Sequence, residues 1–100
     1  MTKARNEFIY QFKGTITKRE LTKASPQSKY AGQAYYVLKV SLASPHQAIK
    51  SLQVFNQLTN PAIWTTLQST KPRELIKNKY LFSCRNQRGY YYLINWEVTN

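Results

Sequence analysis

One hundred residues make one small domain, and a hydrophobic content of 42% with 14% aromatics excludes a disordered basic tail as the whole of it. Fifteen Lys and Arg stand against four Glu and no Asp, a net charge of +11 that favours a polyanionic partner: nucleic acid first, an anionic membrane surface second. A single Cys and a single His exclude an internal disulfide and a thiolate metal cluster, and no cofactor is expected.

Residues 1–5 read as a flexible basic N-terminus to a single domain spanning 1–100. The opening lacks the apolar segment of a secretory leader, and no apolar run approaches the roughly 18 residues of a membrane span, so a soluble, intracellular protein is expected. In "EFIYQFKGTITKREL", Phe8, Tyr10, Phe12 and Ile16 keep the alternation of a half-buried strand, and Gly14 suggests a bend or bulge. "TKASPQSKYAGQ", Thr22 to Gln33, reads as a basic mobile loop. "AYYVLKVSLAS" alternates again: Tyr36, Leu38, Val40 and Leu42 form the core face, while Tyr35, Val37, Lys39 and Ser41 form the other.

In "IKSLQVFNQL", Leu52 and Val54 point inward, which turns Phe55 outward beside Ser51 and Gln53. An outward Phe fits a ligand contact, a second small core or a subunit contact. "TNPAIWTTLQST" begins as helices do, with Thr59 or Asn60 as N-cap and Pro61 in the first turn, and Trp64 is expected to plug the core with Leu67. Asn78 is placed to enter the next strand in a left-handed conformation. "YLFSC" and "YYYLINWEV" form a hairpin around "RNQRG", with Gly89 as its permissive residue. Both faces of that hairpin carry apolar groups, so alternation leaves its buried face open.

Three strands, a short helix and a two-strand hairpin match a mostly β architecture, the five-stranded Greek-key OB-fold barrel with a helix between strands three and four. A split β-sandwich or an SH3-like barrel accepts the strands but does not expect that helix. In this fold ligands bind across strands two and three, flanked by the loops between strands one and two and between strands four and five. The candidate binding residues are therefore Lys18, Arg19, Lys23 and Lys29 on the first loop and its approaches, with Tyr35, Lys39 and Phe55 on the strand face and Lys50 at its edge. Arg85 and Arg88 are expected to form a cationic finger, with Tyr90 and its neighbours as a stacking wall. Aromatic faces stack on unpaired bases and cations neutralise phosphates, so this combination points to single-stranded nucleic acid.

These segments resemble the single-stranded DNA-binding protein family, in length closest to its primosomal replication protein N type. "NEFIYQFKGTI" is similar to the family's opening strand, "YYVLKVSLAS" to its second and "LQVFNQL" to its third, in which a Phe at the place of Phe55 stacks on a base. Asn56 and Asn78 replace family glycines, the loop "SPHQA" is short, and the sequence ends at "WEVTN" without an acidic tail. The resemblance implies a non-catalytic binder of single-stranded DNA in replication or repair, a homodimer or homotetramer, in a bacterial cytoplasm or an organelle such as a plastid. An RNA-binding module and a protein-interaction module are the competing expectations. An enzyme is the poorest fit, since Glu7, Glu20, Glu74 and Glu97 each have a basic residue within a few positions.

Overall fold

The computed structural model describes residues 9–27 and 31–100; the expectation for residues 1–5 lies outside them. Five strands and two helices follow one another as β1 (Tyr10–Lys23), β2 (Ala34–Leu42), β3 (Ser51–Val54), α1 (Pro61–Ser69), α2 (Pro72–Ile76), β4 (Lys79–Gln87) and β5 (Tyr90–Val98). The strands close in the order β1-β2-β3-β5-β4, with β1 pairing antiparallel to both β2 and β4. The seam between β3 and β5 is parallel and narrow, registered at Gln53 and Tyr92. Two helices, where one was expected, fall between β3 and β4. No described helix is long and apolar enough to cross a membrane.

The interior follows the alternation of the strands. Phe12, Ile16, Tyr36, Leu38, Val40, Leu42, Leu52 and Val54 are buried from the first three strands, and Tyr80, Phe82, Cys84 and Leu93 from the hairpin. Each large apolar side chain withdrawn from water contributes about 1.5–3 kcal/mol. Helix α1 closes one end with buried Ile63 and Leu67. Trp64 is only partly buried and meets Tyr36 edge-on at 5.1 Å. Asn60 is the N-cap: its Oδ1 accepts from the Ala62 amide at 2.9 Å, with Pro61 in the first turn. Buried Thr59 instead donates its hydroxyl to the Ile94 carbonyl at 3.2 Å, tying the start of α1 to β5.

The bend expected at Gly14 lies three residues later. The β1–β2 register passes from Ile16↔Val40 to Lys18↔Lys39, so Thr17 is an extra residue in β1. This bulge inverts the parity of everything that follows: Lys13 and Thr15 face outward before it, Lys18, Glu20 and Thr22 after it. Gly14 has a different role, because a Cβ there would collide with the Ser41 carbonyl and the Leu42 backbone. Asn78, expected in a left-handed conformation, does not have a positive φ. Its side chain bonds locally instead, donating to the Glu74 carbonyl at 3.4 Å and accepting from Asn100 at 2.7 Å.

A second bulge resolves the hairpin's ambiguous faces. Ser83 pairs with Asn95 but Cys84 with Leu93, leaving Ile94 as the extra residue of β5. Leu93 and Trp96 can therefore both face the core although an odd number of positions separates them.

Gly14→Ala is expected to destabilise the fold by about 1–3 kcal/mol, since two backbones must part to admit one methyl group. The midpoint of urea unfolding measures this, and an unchanged midpoint would contradict the close approach.

Candidate nucleic-acid interface

Alternation along β2 places Tyr35, Val37, Lys39 and Ser41 on the outer face, opposite the buried Tyr36, Leu38, Val40 and Leu42. β3 adds Ser51 and Gln53 beside them, and Phe55 follows directly after the strand. Phe55 does leave the barrel core, as alternation required, but it is only 4% exposed. The Tyr35 ring lies parallel to it at 4.3 Å with 9° between planes, and Tyr92 of β5 flanks it at 5.7 Å and 50°. The expectation of Phe55 as an open stacking face is therefore corrected. Tyr35 and Tyr92 enclose it, and both of these outer rings are partly exposed.

The bulge adds Lys18 to the cations of this face. Lys18 stands directly opposite Lys39 across the β1–β2 ladder, and Lys39 is opposite Ser51. The Lys50 carbonyl accepts from the Val40 amide at 3.0 Å, which anchors its backbone at the edge of the same sheet. Like charges facing each other across a ladder are destabilising, so stability does not account for this pair. Glu20 binds Lys18 at 3.1 Å, an exposed ion pair that contributes little to the fold.

A groove of about 280 Å³ lies where β3 and β5 diverge, lined among others by Lys50, Ser51, Gln53, Tyr90 and Tyr91. It brings together Lys50 and Tyr90, two candidates 40 positions apart in the chain. Tyr90 is 55% exposed, the most open aromatic on this side. Arg88 and Gly89 form the turn beside it, both with positive φ (54° and 87°), between the paired Gln87 and Tyr90. That is the two-residue hairpin turn that normally takes Asn-Gly. Arg at the first position carries a backbone cost of about 1–2 kcal/mol, which makes an exposed guanidinium at the tip a feature that stability alone does not explain.

Three further expectations change. Arg85 does not share the tip with Arg88: β4 runs through to Gln87, and Arg85 sits half-buried in the strand opposite Tyr92. Arg19 is committed to the fold. Its Nη1 donates to the Leu67 and Thr70 carbonyls at 2.5 and 2.8 Å, and the guanidinium lies over the Tyr36 ring at 5.7 Å. The end of α1 leaves carbonyls without intrahelical partners, and a cation there is favoured. Lys23 belongs to β1 rather than to the loop, and by parity it falls on the face of Arg19 and Leu21, away from Lys18. Lys29 lies outside the described residues.

Among the three tyrosines after the turn, it is Tyr92, not singled out from the sequence, that forms the outer wall of the aromatic stack. The signal was present in the triplet of tyrosines, of which only alternate members can share a face, but the hairpin register needed to choose between them was not readable. Among the described residues no three His, Cys, Asp or Glu side chains gather as a metal site. Burial pushes the Cys84 thiol up to about 12, which keeps it protonated and unreactive at neutral pH.

Because its folded pKa exceeds its unfolded value, Cys84 contributes stability that is whole below the unfolded pKa and is lost as pH rises through about 12. A thiol reagent at neutral pH is expected to label Cys84 only as fast as the protein unfolds; labelling at a free-thiol rate would contradict its burial. Arg19→Ala is expected to lower the urea midpoint, with a loss of about 1.5–3 kcal/mol for charge-assisted bonds. A stability equal to that of the unaltered chain would show that the helix end does not need it. In comparisons with known proteins, no family model, no curated protein and no solved structure matches the chain.

Proposed function

We propose that this chain is a non-catalytic binder of single-stranded nucleic acid, DNA in the first instance, on a five-stranded barrel of the OB type. The strand order and the helices between β3 and β4 support that fold. The observation that carries the function is the outer face of β1, β2 and β3. There the opposed Lys18 and Lys39 stand on the same surface as the Tyr35–Phe55–Tyr92 stack. The cations neutralise phosphates and release counterions, while the rings offer sequence-tolerant stacking to unpaired bases.

The buried Phe55 changes how the stacking works. It backs Tyr35 as a rigid support, so Tyr35 presents a preformed platform, and Tyr90 with Lys50 lines a second place for a base and its phosphate. Arg88 at the turn reaches the strand from the far side of that groove. The protein-interaction reading uses the same rings differently: an interface on Tyr90 would change the assembly mass on substitution and leave nucleic-acid affinity alone.

Fluorescence anisotropy with labelled oligo-dT, oligo-U and a duplex, at low and moderate salt, tests the proposal. Tighter binding of oligo-dT than of duplex, falling with salt, is expected. Tyr35→Ala is expected to weaken it by about 1–3 kcal/mol, the range for one stacked base. Lys39→Ala is expected to lower the slope of log affinity against log salt by about 0.7. Arg88→Asn is expected to raise stability while weakening binding. Preference for oligo-U would assign the site to RNA, through contacts to the 2′-hydroxyl. Equal binding of all three, untouched by these substitutions, would overturn the proposal.

A further inference from the structure

A second cationic surface lies around the barrel from the aromatic face. Thr15 of β1 is opposite Ser41 of β2 on one side and Lys79 of β4 on the other, so these three outward side chains form one row across three strands. Lys13 lies one step along the same face, opposite Leu81 and diagonal to Lys79. Diagonal neighbours of this kind are about 7–8 Å apart. These residues line one part of a groove of about 380 Å³, whose remaining lining includes the apolar Leu42, Ala43 and Tyr80. No carboxylate lines it; the nearest acid in register on this face is Glu97 of β5, on the far side of Leu81. Lys13 and Lys79 make no ion pair among the described residues. Two lysines and two hydroxyls around one shallow concavity suit a phosphate: hydroxyls donate to its oxygens and ammonium groups balance its charge.

The groove is continuous with the site already described. Ser41 is the next outward residue after Lys39 on β2, one two-residue step of about 6.6 Å. On β1, Thr15 is the last outward residue before the bulge and Lys18 the first after it. A single track therefore runs from Lys79 and Lys13, over Thr15 and Ser41, to Lys18, Lys39 and Lys50. We propose that the phosphodiester backbone of the bound single strand continues along this track, and that the Lys13–Thr15–Ser41–Lys79 groove is a second phosphate site. The strand then wraps the β1 side of the barrel instead of crossing only its aromatic face. This inference rests on the single-strand reading above.

The test compares the full chain with Lys13→Ala/Lys79→Ala on oligo-dT of about 5 and about 16 nucleotides, the span of site sizes for one such barrel. Lys71→Ala/Lys77→Ala removes the same charge from the neighbourhood of α2 and serves as control. The unaltered chain is expected to bind the long oligonucleotide with the steeper salt dependence. The Lys13/Lys79 variant is expected to lose about 1.4 from that slope, two phosphates at about 0.7 each, and to bind the short one as before. The control is expected to keep the slope. If the unaltered chain binds both lengths and the Lys13/Lys79 variant follows it or matches the control, the second site is overturned and the single-strand reading stands. If the unaltered chain binds neither, that reading fails and the second site with it.

Discussion

One extra residue in β1 organises this molecule. Without the bulge at Thr17, the alternation that buries Phe12 and Ile16 would carry Lys18 into the interior and leave Arg19 on the outer face. With it, Lys18 emerges beside Lys39, while Arg19 turns in to meet the carbonyls that end α1. A single backbone irregularity thus completes the cationic face with Lys18 and lets Arg19 fasten the helix that closes the barrel. Bulges re-aim side chains in this way wherever strands must both bend and serve a site.

The outer surface is arranged against its own stability. Lys18 opposes Lys39, Lys13 lies diagonal to Lys79, and Arg88 occupies a left-handed position that Asn or Gly fills more readily. The opposed lysines are small penalties in the free protein that a polyanion would relieve, while the strain at Arg88 is a standing backbone cost. The aromatic stack works in the opposite sense. Tyr35, Phe55 and Tyr92 hold one another in place, so under the proposed function the platform would require little ordering to receive a base, and preorganisation of this kind increases affinity.

Strand alternation made much of this legible from the residues alone. The core face of β2 and the inward Leu52 and Val54 follow from period two, and Asn60 with Pro61 marks the start of α1. What escaped was whatever depends on parity beyond a bulge or on neighbours distant in sequence. Gly14 drew attention because glycine tolerates a bend, yet it serves close packing while Thr17 bulges. Arg19 looked like its basic neighbours, and only the position of Leu67 and Thr70 shows that it caps a helix. Phe55 was correctly turned outward, but its burial comes from Tyr35 and from Tyr92, which arrives from a strand 37 positions later. Arg85 and Arg88 were grouped because they are close in sequence, and the tight two-residue turn separates them.

The most direct test of the central claim, that the outer face of β1, β2 and β3 receives the nucleic acid, is a residue-resolved NMR titration with oligo-dT. Amide shifts concentrated at Lys18, Tyr35, Lys39, Ser51 and Gly89, with Thr65 and Gln68 on the exposed side of α1 unmoved, are the predicted result. Shifts centred on α1 and α2, or spread evenly over every exposed lysine, would contradict it.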